Sequence, residues 1–174
     1  MTAPNDIVVR PPGVLTFAGR RYRCALGRSG IIEAKREGDG GTPVGRFPLR
    51  RVYYRPDRVA PPVTALSVQG LTPADGWSDD PTDPDYNRFV FRPRPTRSET
   101  LWRDDALYDV IVEIGFNDDP PIAGLGSAIF IHVARADFEP TEGCVALAIT
   151  DLRDLLGRVS PNTACVISSR PEPA

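Results

Sequence analysis

Apolar residues in this chain fall in short runs divided by turns. Residues 6–9, 14–18 and 21–26 alternate or cluster apolar side chains around Gly13 and Gly19, the pattern of an opening set of antiparallel strands. Residues 27–46 are rich in glycine and charge and read as a loop, after which 47–54 resumes a strand pattern. From 55 to 100, Pro, Asp and Arg dominate, with short strands expected only at 63–68 and 88–91. A loop region this long inside a folded domain is usually functional or disordered. Trp77, Tyr86, Phe89 and Trp102, spread through and just beyond it, argue for order, because disordered segments are poor in aromatics. Two further strands are expected at 108–115 and 127–133. The one helical pattern is 150–159. Thr150 is placed to cap it, Asp151 suits its positive end, and Leu152, Leu155, Leu156 and Val159 share one face. Pro161-Asn162-Thr163 then turns the chain into a last strand at 164–168.

Composition supports a β-rich fold. Nineteen prolines and 15 glycines make up about a fifth of the 174 residues, above a usual background of roughly 12%, which disfavours a helix bundle. The length fits a single domain spanning 1–174. With 21 basic and 23 acidic residues well mixed and no basic stripe interleaved with aromatics, nucleic acid is not an expected partner. Arg20-Arg21-Tyr22-Arg23 and Arg50-Arg51 read as solvated strand faces. The first dozen residues lack a basic region, a long apolar stretch and a small-residue cleavage site, so no signal peptide is legible, and no run reaches the ~18 apolar residues of a membrane span. Three cysteines without a C-x-x-C or Cys/His cluster imply neither a disulfide framework nor a metal site. Cys24 and Cys165 lie in strand-like runs and read as core.

Cys144 differs. It follows a glycine in Thr141-Glu142-Gly143-Cys144-Val145, twelve residues after the chain's single histidine, His132, which ends the apolar run Ile129-Phe130-Ile131. A thiol becomes a nucleophile when a neighbouring group accepts its proton, and histidine is the usual neighbour. The glycine permits a tight turn on which backbone N–H groups converge. Taken alone, the pair is also compatible with a structural histidine beside a core cysteine.

Two segments in order sharpen the picture. Thr42-Pro43-Val44-Gly45-Arg46-Phe47 is followed about a hundred residues later by His132 and then Thr141-Glu142-Gly143-Cys144. Together they resemble the L,D-transpeptidase (YkuD-like) catalytic domain, over about 20–168. The resemblance implies a two-sheet YkuD-like β-sandwich, with one packed helix near 150–159 and a long ordered flap. It implies a cysteine-dependent acyltransferase that needs no cofactor or metal, acts on peptidoglycan stem peptides in the periplasm or cell envelope, and serves cell-wall biogenesis and cell shape as a monomer. Carried over by position, Cys144 is the nucleophile and His132 its base. The Val133 carbonyl orients the imidazole, the N–H groups of Glu142, Gly143 and Cys144 form the oxyanion hole, and Thr141 hydrogen-bonds within the loop and meets substrate. This chain departs from the family where many members carry His and Arg, at Glu142 and Ala146.

Trp77, Tyr86, Asn87 and Arg88, within the expected flap, are candidates for substrate contact beside a purely structural role. The acidic stretches around Asp79-Asp80 and Asp83-Asp85 lack the glycine and distal glutamate of a calcium loop. Gly40-Gly41 lacks the strand-to-helix setting of a phosphate loop. Two rivals remain open: an L,D-carboxypeptidase or amidase in which water resolves the same thioester, and a non-catalytic cell-wall-binding module.

Overall fold

The computed structural model describes residues 5–172. Its elements run β1 (Ile7–Arg10), β2 (Val14–Phe17), β3 (Arg20–Ala25), β4 (Ile31–Ile32), β5 (Thr42–Pro43), β6 (Gly45–Tyr54), β7 (Ser67–Gly70), β8 (Asp75–Ser78), β9 (Phe89–Phe91), β10 (Ser98–Thr100), β11 (Val110–Ile114), β12 (Phe130–Val133), β13 (Val145–Leu147), α1 (Ile149–Leu156) and β14 (Ala164–Ile167).

The fold is mainly β with one helix, but its centre is a barrel and not the expected two-sheet sandwich. Strand order β11-β12-β13-β3-β2-β1-β14-β6 closes on itself because β6 also pairs with β11. The ten-residue length of β6 makes closure possible. Its first half, Gly45 to Pro48, pairs with β14, and its second half, Leu49 to Tyr54, pairs with β11 across a register shift between Val112 and Ile114. A bulge of this kind bends a strand and raises its twist, as barrel closure demands. β1 and β2 are members of the ring, so the barrel begins upstream of residue 20.

The two-residue period of the strands sorts side chains between two cores. Val110, Val112 and Ile114 join Ile131, Val133, Val145 and Leu147 in the main core, together with Leu152, Leu155 and Leu156 of α1. Burying each such aliphatic side chain is worth about 1.5–3 kcal/mol. The alternate residues Ile111 and Phe130 face the other way, into a second cluster with Tyr53, Leu71, Trp77, Leu101, Tyr108 and Cys144. That cluster is roofed by the 71–108 segment, whose β8 pairs with both β9 and β10 in a separate three-stranded sheet. The Pro/Asp/Arg-rich stretch is therefore an ordered second layer over part of the barrel wall, with Trp77 and Tyr86 each 4% exposed.

Local differences from the sequence reading have local causes. The helix starts at Ile149 with Ala148 in the cap position and no side-chain cap bond, because β13 leads straight into it and puts Thr150 inside the first turn. β8, β10 and β13, absent from the expectations, are three or four residues long and lack an alternating apolar pattern. The 63–68 run is mostly irregular; the strand there begins at Ser67. Asp83, in the acidic stretch, is saturated by Ser78 Oγ at 2.8 Å, Thr96 Oγ1 at 2.5 Å and Arg94 Nη2 at 2.5 Å. Against the upward push of burial, these contacts hold its carboxyl at about 2.

Candidate active site

His132 sits on the outward face of β12, two residues after Phe130, so it faces the second cluster and not the barrel interior. β13 lies parallel beside it, pairing His132 with Ala146. Cys144 precedes Val145, the partner of Ile131, and shares a face with Ala146. The histidine and the cysteine thus project from one face of adjoining segments, diagonally across the pair. The small Ala146 side chain opposite the imidazole leaves room for a cavity beside it, although His132 itself is only 5% exposed. Both residues line a cavity of about 630 Å³, whose walls include Ala146, Tyr108, Glu99 and Lys35.

The cysteine loop is pinned from behind. Thr141 N–H donates to Leu26 O at 2.9 Å and Arg28 N–H donates to Thr141 O at 2.8 Å, tying the loop to the segment after β3. Thr141 Oγ1 donates to Cys144 O at 2.7 Å and accepts from Gly143 N–H at 3.1 Å. Gly143 has φ +135, and a Cβ there would meet Gly41 O at 2.7 Å. Glycine at this position is dictated by both the dihedral and the space. The side chain of Glu142, 78% exposed, points outward to Arg28 Nε at 3.0 Å.

The His132 Nδ1 lies 2.8 Å from the Val133 carbonyl. A carbonyl can only accept, so Nδ1 carries the proton and Nε2 keeps its lone pair. Burial above all, with the Arg103 charge adding to it, pushes the imidazole down to about 4 despite the Val133 bond. The thiol lies at the opposite extreme: burial pushes Cys144 up to about 12, reinforced by the Glu99 charge and opposed by Phe130 N–H and Lys35. Its Sγ donates to Ala128 O at 3.2 Å and accepts from Phe130 N–H at 3.4 Å. Both groups therefore rest uncharged, and the thiol is not the lowered, thiolate-prone group expected of a histidine neighbour.

Trp77, Tyr86, Asn87 and Arg88 do not line this cavity. Trp77 Nε1 donates to Asn87 Oδ1 at 2.9 Å, and its ring meets Phe130 edge-on at 5.0 Å. Asn87 Oδ1 also accepts from Ala128 N–H at 3.0 Å, and its amide donates to Phe116 O and Asn117 O at 2.9 and 2.7 Å. Asn87 thereby fixes Ala128, whose carbonyl holds the thiol. The Tyr86 hydroxyl donates to Glu37 and accepts from Gly126 N–H, while Arg88 is exposed. Cys24 and Cys165 are buried in the main core, away from the cavity.

The sequence reading missed Lys35, Glu99, Arg103 and Tyr108, all of which line the cavity. Only Tyr108 carried a signal, as the first residue of an expected strand. The others come from segments whose placement depends on how the second layer folds back.

The chain's match to a family model settles what kind of domain carries this site. The L,D-transpeptidase catalytic domain, YkuD, matches over residues 5–167. The chain belongs to that family. Its match starts at the beginning of the barrel, in keeping with β1 as a ring strand. No curated protein and no solved structure matches the chain. Among the described residues no group of His, Cys, Asp and Glu is arranged to hold a metal, and no helix is long and apolar enough to cross a membrane.

Proposed function

We propose that the protein is a peptidoglycan L,D-transpeptidase that works through a thioester on Cys144, with His132 as its base. The observation that carries this reading is the presentation of the YkuD member's single histidine and its Gly-turn cysteine into one cavity, with Nε2 of a neutral imidazole available to accept a proton. In the first half-reaction the Cys144 proton passes to Nε2 as sulfur attacks the carbonyl of the stem peptide. The C–S bond forms, the C–N bond to the terminal D-residue breaks, and His132 returns the proton to the leaving amine. An amine from a second stem then attacks the thioester, forming the cross-link and releasing the thiol.

Gly143 N–H is engaged by Thr141, so the oxyanion falls to the N–H groups of Cys144 and Glu142 in this arrangement. Losing one such donor typically costs roughly 10²–10³ in rate. The site acts on the cell envelope, where its substrate lies. Intact-protein mass after exposure to a tetrapeptide stem is the test. Wild type should gain one acyl group, Cys24→Ala and Cys165→Ala should gain it too, and Cys144→Ala should gain none. Acylation persisting in Cys144→Ala would overturn the assignment. Following cross-linked dimer against free tripeptide then separates transfer from hydrolysis.

A further inference from the structure

The cavity around Cys144 is crowded with charge, and its acids differ sharply in how they are compensated. Asp79 is paired with Arg97 at 3.1 Å, Glu139 with Arg135 at 3.3 Å and Glu142 with Arg28 at 3.0 Å. Glu37 accepts from the hydroxyls of Tyr86 and Ser127. Glu99, paired with Trp77 in the middle of β10, shares with Glu37 a carboxylate bonded only to hydroxyl donors, and of the two it is Glu99 whose charge acts on Cys144. The only hydrogen bond to its carboxylate among the described residues comes from a neutral donor, Tyr108 OH at 2.6 Å, and goes to Oε1. The nearest cation, Arg103 Nη1, stands 3.7 Å from that same oxygen, while the Arg103 Nε and Nη2 are spent on Asp105 at 2.8 and 2.7 Å.

Glu99 is therefore a cavity-lining carboxylate three-quarters withdrawn from water, with 26% of its side chain exposed and its hydrogen bond and ion pair both on one oxygen. Burial pushes its carboxyl upward, as expected for a charge whose surroundings do not fully replace its hydration. It is also near enough to Cys144 to act on the thiol electrostatically. Tyr108, buried, holds one carboxylate oxygen and stands edge-on to His132, ring centroids 5.3 Å apart. An under-compensated anion opening on a nucleophile's cavity is a receptor for a cation.

From the juxtaposition of Glu99, Tyr108 and Cys144 around one cavity, we infer that Glu99 binds the ammonium group of the acyl acceptor and takes its first proton, selecting amine transfer over hydrolysis. This rests on the transfer reading above. An acceptor amine reaches the thioester as R–NH₃⁺ and has no lone pair to attack with. One proton moves to the Glu99 carboxylate. The freed amine attacks the thioester carbonyl, the C–N bond forms and the C–S bond breaks. His132 conveys the second amine proton to the departing sulfur, and Glu99 returns its own proton to water. No oxidant or cofactor enters the balance.

The test compares wild type with Glu99→Gln, which keeps an acceptor for Tyr108 but loses the charge. Glu113→Gln serves as control: Glu113 likewise accepts from a tyrosine, Tyr53 OH at 3.0 Å, and is pushed up by burial, but it lines a different cavity. With a tetrapeptide donor and an amine-bearing stem as acceptor, Glu99→Gln should acylate no more slowly than wild type, because losing the Glu99 charge eases ionisation of Cys144. Its ratio of cross-linked to hydrolysed product should fall about tenfold or more, the worth of one charge-assisted hydrogen bond. With hydroxylamine, an uncharged nucleophile at the same neutral pH, the ratio should not change. Glu113→Gln should match wild type throughout. An unchanged ratio with intact acylation overturns the inference while leaving the transpeptidase reading standing. Acylation falling as far as transfer also overturns it, since Glu99 would then act before the acceptor arrives. Wild type that never acylates would remove the transfer reading, and this inference with it.

Discussion

The thiol's position depends on a residue 57 positions away in sequence, Asn87, and the dependence can be measured. Asn87 is 4% exposed and makes four hydrogen bonds: from Trp77 and Ala128 to its oxygen, and from its amide to two carbonyls. Asn87→Ala strands the buried Trp77 Nε1–H and the part-buried Ala128 N–H, each costing about 1–3 kcal/mol where water cannot reach it. It also forfeits the two bonds to carbonyls, about 1 kcal/mol each. The backbone at φ 55 favours Asn over Ala, adding on the order of 1 kcal/mol. Partial hydration of the vacated space offsets some of this, leaving about 4–6 kcal/mol.

For a chain of this length each kcal/mol shifts Tm by roughly 2–4 °C, so the melting point should fall by roughly 10–20 °C. Calorimetry and guanidinium unfolding read this directly. Trp77→Phe, which removes one donor and keeps most of the ring, should cost about 1–3 kcal/mol. Below denaturation, Cys144 should alkylate faster in Asn87→Ala, because the Ala128 carbonyl that holds the thiol loses its anchor. A loss under about 1 kcal/mol would refute the hub role, since that is the worth of one bond and not four. Unchanged alkylation would show that Ala128 is fixed by something else.

Two further outcomes follow from the site. The folded imidazole of His132 resists protonation down to about 4, against 6.5 for an ordinary histidine. The unfolded chain therefore binds a proton that the folded one refuses, and stability should be full above 6.5 and lost as pH falls toward 4, by up to about 3 kcal/mol. Comparing the difference in unfolding free energy between pH 7.5 and 4.5 for wild type and His132→Gln isolates this contribution; equal pH slopes would refute it. Gly143→Ala should destabilise by about 1–3 kcal/mol and slow acylation, because its φ of +135 and the Gly41 carbonyl at 2.7 Å exclude a side chain. A Tm within 1 °C of wild type would show that the loop relaxes around the methyl group.

Much of the barrel was legible because its longer strands carry their own pattern. Ile7–Arg10, Val14–Phe17, Arg20–Ala25 and Val110–Ile114 alternate or saturate with apolar residues, and the sequence places strands at each. The barrel itself was not legible. Closure depends on β6 pairing along its two halves with strands far apart in the chain, a long-range fact with no local signature. The site divides the same way. His132 and Cys144 could be found from a histidine after an apolar run and a cysteine in a glycine turn. Trp77 and Asn87 were placed in the right layer but against the wrong neighbour: the same aromatic and amide groups that suit a substrate wall also suit a buried prop. Lys35 and Glu99 look like any surface charges until the fold brings their segments to one cavity.

That second layer also explains why the thiol rests protonated. An exposed Cys–His pair can share its proton cheaply, because water stabilises both charges. Here the cavity walls have removed that water from both partners, so each uncharged form is favoured: sulfur bonded to the Ala128 carbonyl, imidazole to that of Val133. Charge separation must then await something that supplies what water would have given. In the proposed acyl transfer, the donor would do so at the moment of attack, when the charge leaving sulfur passes onto a carbonyl oxygen beside backbone N–H groups. A thiolate formed only against substrate is shielded from oxidants and alkylating agents at other times. Iodoacetamide at neutral pH should accordingly label native Cys144 more slowly than an unfolded cysteine, by about tenfold or more given the raised thiol. Labelling at the unfolded rate would mean that the thiol is already ionised or open to water, and the neutral resting pair would have to be abandoned.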